Sequence, residues 1–305
     1  MPLTYVLVTP ARNEAAYIEG LLRSVVSQTL LPLRWIIVSD GSTDATDEIV
    51  RRYQQGRPWL ELVALPPRAE RNFAAKVLAF NAGLQRLQGV SYDVIGNLDA
   101  DITFEAGYLE YLVSRFAAMP SLGVAGTHYI EGDFHSFNDS YINVNHVNGA
   151  VQVFRRECFE AIGGYKPIVG GGIDWVAVTT ARMKGWTTRS FAEHVFHHHR
   201  KIGTAGGNEL KARFHYGKKD YFLGGHPLWQ VVRSAFQLTK RPFVIGGAAL
   251  LAGYLWQGLS GLGRSVPADL MAFHQREQMQ RLKGLLLRRP APPDNPPAAQ
   301  AREAS

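Results

Sequence analysis

The chain has 305 residues, of which 46% are hydrophobic and 19% are charged, and this balance excludes a largely disordered protein. Its single cysteine, Cys158, excludes internal disulfides and is typical of a reducing compartment. The formal net charge of +7 indicates an anionic partner, but no recognised nucleic-acid-binding module accompanies it, so nucleic acid is not expected as that partner.

Short apolar runs alternate with helical patterns over the first third of the chain. The runs are rich in Val, Ile or Leu and are bounded by Pro, Gly or Asp, which predicts strands at residues 5–9, 34–39, 60–65 and 93–98. Helices are predicted between them at residues 16–28, 44–54 and 72–87. This alternation predicts an α/β fold with a mostly parallel, doubly wound sheet that binds ligands at the carboxyl ends of its strands. No basic region precedes the first strand, so a signal peptide is not expected.

Acidic side chains follow two of these strands. Asp99 and Asp101 come after the fourth strand, and a spacing of two on an extended backbone points both carboxylates to the same side. Hard oxygen ligands of this kind suit Mg²⁺ or Mn²⁺ carrying a diphosphate. Asp40 follows the second strand, so the three carboxylates are expected to face one crevice, where a nucleotide would bind.

The pattern becomes mixed in the second third of the chain. Strands are predicted at residues 148–154 and 188–192, and helices at residues 156–163 and 174–184. A histidine-rich, basic run at residues 194–201 follows, and its spacings do not match a tetrahedral zinc site. We expect a loop that closes over a diphosphate, supplies one further metal ligand or faces anionic lipid, with His199 and Arg200 as possible diphosphate contacts.

The last third combines a basic block with an apolar one. Residues 197–241 contain nine Lys or Arg against two acidic residues, which equals the net charge of the whole chain. Residues 242–263 then carry no charge, and their length would suffice to span a bilayer. Because basic residues also follow this segment, it is expected to lie on the cytoplasmic face of an anionic membrane without crossing it. The alternative is a glycine-rich helical hairpin packed on the catalytic domain.

These shifts in composition predict three parts of the chain. Residues 1–225 form the catalytic domain, and residues 226–287 form a helical, membrane-associating segment that ends with a helix at 267–287. Residues 288–305 carry five prolines between positions 290 and 297 and are predicted to be disordered.

The motifs of the first two thirds, taken in order, resemble those of the family 2 glycosyltransferases. The matching motifs are residues 9–14 (TPARNE), 40–44 (DGSTD), Lys76 with 81–83 (NAG), 99–101 (DAD), 148–150 (NGA), 155–156 (RR), 163–164 (GG) and Asp174. The resemblance implies a GT-A fold, which is Rossmann-like, and an inverting enzyme that uses a nucleotide sugar.

The resemblance also implies roles for individual residues. In the first loop, the nucleoside of the donor would be cupped by Pro10, Ala11, Asn13 and Glu14. Asp40 would accept a hydrogen bond from a ring N–H of the base, and Asp99 would lie near the ribose and the metal. Asp101 would ligate the metal directly, and Lys76 would approach the diphosphate.

Displacement of a nucleotide diphosphate at a sugar carbon also needs a base for the acceptor hydroxyl. Asp174 is the candidate, because the family places a carboxylate at this position, although Ile173 stands where the family has a Glu. Asp174 could instead cap the helix that it begins, in which case the substitutes would be Asp133, Asp139 or Glu131. The chain lacks the Gln-x-x-Arg-Trp run of processive synthases, which favours a single transfer for each encounter.

The sequence therefore predicts a metal-dependent glycosyltransferase of cell-surface polysaccharide or glycolipid biosynthesis. Its partners would be a nucleotide-diphosphate sugar, a glycan or lipid-linked acceptor, and an anionic membrane surface. Two alternatives remain open at this point: a sugar-phosphate nucleotidylyltransferase, and a catalytically silent nucleotide-binding scaffold at the membrane.

Overall fold

The computed structural model of the chain describes residues 3–67, 73–136, 144–168, 171–200, 209–240 and 242–287. Asp139, Lys201 and the predicted disordered tail lie outside these residues. The described residues form two compact units, one within residues 3–167 and 173–200 and the other within residues 168–172 and 209–287. The domain limits expected from the sequence, after residues 225 and 287, stay a prediction.

In the described residues, the first unit is built on a sheet of nine strands. They are β1 (Tyr5–Ala11), β2 (Arg34–Asp40), β3 (Leu60–Leu65), β4 (Val94–Leu98), β5 (Ile102–Thr103), β6 (Leu122–Glu131), β7 (Phe134–His135), β8 (Val151–Arg155) and β9 (Thr187–His198). The order across the sheet is β3-β2-β1-β4-β8-β6-β9-β5, with β7 paired to β6. The strands β1 to β4 are mutually parallel, whereas β8 runs antiparallel to both of its neighbours.

Six helices cover the two faces of this sheet. They are α1 (Ile18–Val26), α2 (Thr46–Gln54), α3 (Phe73–Gln85), α4 (Tyr108–Ala118), α5 (Arg156–Ala161) and α6 (Ile173–Met183). Helix α1 illustrates why such a helix packs on the sheet. Its apolar residues recur at helical spacing, and Ile18, Leu21, Leu22 and Val25 on that face are all fully buried. Buried side chains on the two faces form two separate clusters, as expected for a doubly wound sheet. The predicted α/β class is thereby confirmed.

The register of the parallel strands brings their carboxyl ends to one edge. Ala11 at the end of β1 pairs with Ser39 of β2, and Val8 pairs with Asn97 of β4. The chain segments that follow β1, β2 and β4 therefore emerge side by side.

Glycine at position 83 serves a different purpose from the one that its position near a helix end indicates. Helix α3 continues to Gln85, so Gly83 lies within the helix and does not end it. A Cβ atom at this position would lie 2.6 Å from Val8 and 3.0 Å from Val38. The missing side chain thus allows α3 to approach β1 and β2 closely.

The second unit is helical. Its helices are α7 (Glu209–Phe222), α8 (Pro227–Gln237), α9 (Ile245–Leu259) and α10 (Ala268–Leu286). Helices α7 and α9 pack closely through Gly217 and Gly253, because a Cβ atom on either would overlap the backbone of the facing helix. Within the described ranges, no helix combines the length and the apolar character needed to cross a bilayer.

Candidate active site

A cavity of about 470 Å³ lies at the edge of the sheet where β1, β2 and β4 end. Its lining residues come from the segments that follow these strands, from α3 and from the end of β9: Pro10, Ala11, Arg12, Glu14, Asp40, Ala75, Lys76, Ala79, Asp99, Ala100, Asp101 and Arg200. Most of the residues expected to bind a nucleotide or a metal therefore meet in one cavity, although they come from the ends of different strands.

The loops after β1 and β2 are fastened to each other through Asn13. Its side-chain Oδ1 accepts a hydrogen bond from the backbone N–H of Thr43 at 2.8 Å, and its own N–H donates to Ser42 Oγ at 3.1 Å. Asn13 adopts a left-handed backbone conformation, with φ of 55°, which Asn tolerates better than most residues. Asn13 is not among the cavity-lining residues and instead holds the two loops in register.

Asp40 ends β2 and is only 4% exposed. The next residue, Gly41, has φ of +66°, and a Cβ atom there would lie 2.5 Å from the Cα atom of Pro67. Glycine is thus required for the turn that leaves the Asp40 carboxylate at the cavity wall.

Asp99 and Asp101 do not share an extended strand. Strand β4 ends at Leu98, and the chain turns through residues 100 and 101 before β5 begins. The turn is held by the backbone N–H of Asp99, which donates to Ala150 O at 2.9 Å. Both carboxylates still line the cavity, and Asp99 forms an ion pair with Lys76 of α3. Burial lowers the pKa of Lys76, but the nearby carboxylates, Asp99 foremost, outweigh it and raise that pKa above its ordinary value.

Asp101 is 7% exposed and lies between two cationic or ionisable side chains. His198 Nε2 is 3.6 Å from its Oδ1 atom, and Arg200 Nε is 3.6 Å from its Oδ2 atom. Burial and the negative charge of Asp99 raise the pKa of Asp101, which His198 and Arg200 only partly offset. The site therefore holds more negative charge than its own cations neutralise.

Glu14 and Arg200 form the second ion pair of the cavity. Arg200 Nη2 donates to Glu14 Oε2 at 2.5 Å, and its guanidinium lies 5.3 Å from the ring centroid of Tyr17. Burial raises the pKa of Glu14 to about 7, and the charges of Asp101 and Asp99 act in the same direction against Arg200.

Residues 194–198 of the histidine-rich run form the end of β9 and not a loop as expected, and His199 and Arg200 follow the strand. Thr103 and Ile102 of β5 pair with His197 and His198, which continues the sheet to this point. His199 is exposed, and its Nε2 atom lies 2.8 Å from Thr103 Oγ1, on the sheet edge and outside the cavity lining.

His198 at this edge was not singled out within the histidine-rich run as a part of the candidate active site. His198 is 9% exposed, and its ring lies between Asp101 and Glu131, with Nδ1 3.4 Å from Glu131 Oε2. The alternation of strand side chains places His198 on the same side as the fully buried Phe196. That period-two pattern is the signal that could have distinguished His198 from its neighbours.

Asp174 lies in the first turn of α6, which begins at Ile173, so it does not precede the helix as an N-cap residue would. Its side chain contacts Gly149, where an added Cβ atom would lie 2.8 Å from Asp174 Cβ and 2.9 Å from Oδ2. Gly149 O in turn accepts a hydrogen bond from Asn97 of β4 at 3.0 Å. Asp174 is therefore close to the end of β4, which Asp99 follows. Its negative charge contributes to the raised pKa of Lys76.

The alternatives to Asp174 lie elsewhere. Asp133 is exposed in the turn between β6 and β7, Glu131 is beside His198, and Asp139 is outside the described residues.

The donor atoms around Asp101 fit a divalent cation that also binds a diphosphate. Carboxylate oxygens suit Mg²⁺ and Mn²⁺, and the ring of His198 is a further nitrogen donor 3.6 Å from Asp101. Burial first, and then the negative charge of Asp99, raise the pKa of Asp101, and a bound cation would favour its charged form. In the part of the chain that the structure describes, no group of three or more potential ligands is already arranged around one point, so waters and phosphate oxygens would have to complete the coordination.

Comparisons with known proteins agree with this geometry. Residues 6–164 match the model of the family described as "Glycosyl transferase family 2". The succinoglycan biosynthesis protein ExoA of Rhizobium meliloti is 29% identical over 178 residues, which are 52% of this chain and 52% of ExoA. The chain thus spans about half the length of that relative.

Two further comparisons cover more of the chain. The glycosyltransferase AglE of Haloferax volcanii is 26% identical over 288 residues, which are 87% of this chain and 88% of AglE. The structure of the mannosyltransferase PcManGT from Pyrobaculum calidifontis, in complex with GDP-Man and Mn²⁺, superposes with a TM-score of 0.56 at 19% identity. That superposition covers 93% of this chain and 76% of PcManGT, and it shows similarity of fold.

Proposed function

Because this chain belongs to the family 2 glycosyltransferases, we propose that it transfers one sugar from a nucleotide-diphosphate donor to a hydroxyl acceptor, with inversion. The family, the GT-A fold and the assignment as a glycosyltransferase expected from the sequence are confirmed. The donor, the acceptor, the metal and the individual site residues are the proposal. The acceptor that we propose is a glycan or a lipid-linked sugar, in line with the role of ExoA in succinoglycan biosynthesis.

One observation carries this proposal: Asp40, Asp99 and Asp101 meet in one cavity with Lys76 and Arg200. Asp40 is nearly buried at the cavity wall, so it can accept a hydrogen bond from a ring N–H of the base with little competition from water. Lys76 and Arg200 supply positive charge where a diphosphate would lie, and each can exchange its carboxylate partner for a phosphate oxygen. Neutralising the leaving group in this way lowers the barrier to its departure.

Asp99 and Asp101, with His198, are the residues that would hold Mg²⁺ or Mn²⁺. When bound, the cation would stabilise negative charge on the departing diphosphate. The presence of Mn²⁺ in the PcManGT complex supports this assignment by likeness of fold.

Asp174 is the proposed general base. It is half-buried beside the strand end that carries Asp99, and its carboxylate can accept the proton of the acceptor hydroxyl. The hydroxyl oxygen would then attack the sugar carbon opposite the leaving diphosphate, so one displacement inverts the configuration at that carbon.

The test uses the full chain with a panel of nucleotide sugars. One donor should raise the melting temperature in the presence of Mn²⁺, because a ligand that binds the native state stabilises it. That donor should also release nucleotide diphosphate when an acceptor is added. EDTA should abolish the release, Mg²⁺ or Mn²⁺ should restore it, and Asp101→Ala should remain inactive while Glu48→Ala, at an exposed position of α2, is unaffected.

Three outcomes would overturn parts of this proposal. Full transfer in EDTA would exclude the metal role of Asp99 and Asp101. Donor binding without any release would favour a silent nucleotide-binding scaffold. Release of pyrophosphate from a nucleoside triphosphate and a sugar phosphate would favour a nucleotidylyltransferase.

A further inference from the structure

Helix α9 carries several of its bulky apolar side chains on an exposed face. Its buried positions are three glycines, Gly246, Gly247 and Gly253, together with Leu250, Tyr254 and Gln257. The exposed positions are Ile245 at 53%, Leu255 at 53%, Trp256 at 62% and Leu259 at 87%. These four recur at helical spacing along one face, which we call the outward face of α9.

The outward face cannot be turned inward by rotating the helix. A Cβ atom at Gly253 would overlap the backbone of Phe214 in α7, and one at Gly247 would overlap the backbone of Ser234 in α8. Glycine is therefore needed where α9 meets its neighbours, and this requirement fixes which side faces out. The exposure of Leu255, Trp256 and Leu259 follows from that packing.

Further large apolar side chains are exposed in α8 and in the turn before α9. Leu228, Val231 and Leu238 of the α8 region are exposed while Gln230 and Ser234 are buried. Phe243 and Val244 in the turn are 60% and 62% exposed. Of the 19 large hydrophobic side chains that are exposed in the described part of the chain, 11 fall between Leu228 and Leu262. Such a concentration marks a binding surface and not scattered surface residues.

Charge decides which partner this surface fits. Residues 209–287 contain eleven Lys or Arg against four Asp or Glu, so this stretch has a net charge of +7 and the remainder of the chain is neutral. A second copy of the chain would bring like charges together, whereas anionic lipid headgroups are complementary to them. Lys240, which follows α8, is exposed and packs its ammonium 5.1 Å from the ring centroid of Phe236.

The length of α9 agrees with a helix that lies in the plane of a membrane. Its 15 residues extend about 22 Å, which is less than the roughly 30 Å of a bilayer's hydrocarbon core. Trp256 exposes an aromatic ring that carries an N–H group, and such rings favour the boundary between lipid and water.

We propose that the outward face of α9, together with the exposed side chains of α8 and the turn between them, binds the interface of an anionic lipid bilayer. The apolar side chains enter the boundary between headgroups and acyl chains, and the basic side chains of the unit contact the headgroups. This proposal does not depend on the proposed reaction.

The experiment is flotation of the full chain with vesicles of phosphatidylcholine alone or mixed with phosphatidylserine. The unaltered chain should float with the anionic vesicles, and less so as salt is raised. The double variant Trp256→Glu/Leu259→Glu should bind those vesicles at least about tenfold more weakly, since two apolar side chains no longer leave water. The matched control is Leu31→Glu/Leu33→Glu, which alters two side chains of the first unit that are each 45% exposed, and it should float like the unaltered chain.

A second measurement keeps the result independent of folding. Vesicles with brominated acyl chains should quench the fluorescence of Trp256, and the quenched fraction should fall in Trp256→Phe. The proposal is overturned if the unaltered chain stays in solution, if the double variant floats equally well, or if Trp256 is not quenched. It is also overturned if sedimentation shows a dimer that the double variant loses while no vesicles are bound, because the surface would then belong to a second copy.

Discussion

The two units contrast in which side chains they bury: the first buries charged side chains, and the second exposes large apolar ones. In the first unit, Glu14, Asp40 and Asp101 are charged side chains that are less than 9% exposed, all at one cavity. In the second, Leu259 is 87% exposed while Gly253 is buried. Charged groups are seldom buried and large apolar groups are seldom clustered on a surface unless another molecule completes them. The difference teaches that each unit has one surface shaped for a partner, the first polar and the second apolar.

The largest effect, on the rate of transfer, is expected from Asp174, the proposed general base in the first unit. Asp174→Asn keeps the size of the side chain but removes the proton acceptor, so the rate of transfer should fall by about a thousandfold. Donor affinity, measured by nucleotide titration, should be nearly unchanged, because the proposed donor contacts are those of Asp40, Asp99 and Asp101.

Glu48→Gln is the control, since Glu48 is exposed on α2, and it should retain full activity. If Asp174→Asn keeps most of its rate, the base lies elsewhere, and Asp133, Asp139 and Glu131 would be changed next.

Shortening a leucine in each unit tests the comparison directly. Leu22 in α1 is fully buried, and Leu22→Ala should lower the free energy of unfolding by about 2–5 kcal/mol through the lost burial and the cavity left behind. Leu259→Ala in α9 should change it by less than about 0.5 kcal/mol, because that side chain is already in water. Urea unfolding in the absence of lipid measures both. A large loss in Leu259→Ala would mean that the outward face of α9 is covered within the protein itself.

Glu14 should make the stability of the protein depend on pH. Its pKa is about 7 in the folded protein, against an ordinary value of 4.5, so the folded state binds the extra proton between these values. The free energy of unfolding should therefore fall as pH rises from 5 to 7.5, by roughly 1–3 kcal/mol from this group. Glu14→Gln should remove that part of the slope, whereas Glu157→Gln, at an exposed position of α5, should not. Equal slopes in the unaltered chain and Glu14→Gln would contradict a raised pKa.

The smallest effect is expected from moving Asp174 without removing it. In Gly149→Ala the new Cβ atom would lie 2.8 Å from Asp174 Cβ, so the carboxylate must shift. Transfer should slow roughly tenfold or more, with the loss in turnover larger than the loss in donor affinity. Gly263→Ala is the matched control, because a Cβ atom there meets no neighbour. An unchanged rate in Gly149→Ala would show that the position of Asp174 is not critical.

The elements that were predicted well, and the meeting of three carboxylates in one cavity, depend on local patterns. Strands β1 to β4 are short apolar runs between helices, and Asp40, Asp99 and Asp101 each follow such a run. Parallel pairing then brings these strand ends together without any further information. The cavity could thus be anticipated from residues that lie within a few positions of a strand end.

The features that were missed depend on contacts between distant residues. His198 meets Glu131 only because β6 and β9 pair in a register interrupted by two irregularities, which no local pattern encodes. The side chain of Asn13 is engaged by Thr43, 30 residues away. In α9 nearly every residue is apolar or small, so its hydrophobic pattern has no clear period, and the glycine contacts with α7 decide which side is exposed.

The pairing of Lys76 with Asp99 and of Arg200 with Glu14 has a consequence for the order in which ligands enter. A nucleotide sugar that arrives alone adds negative charge to a cavity already rich in carboxylates, and a free cation must compete with two resident cationic side chains. A divalent cation and a diphosphate diester that arrive as one complex add no net charge. The net charge of the cavity is then unchanged, and the cost of adding unpaired charge to a poorly solvated space is avoided. Under the proposed function, such a pocket would select a preformed ion pair over either of its components, so the fraction of donor already bound to metal would set the rate.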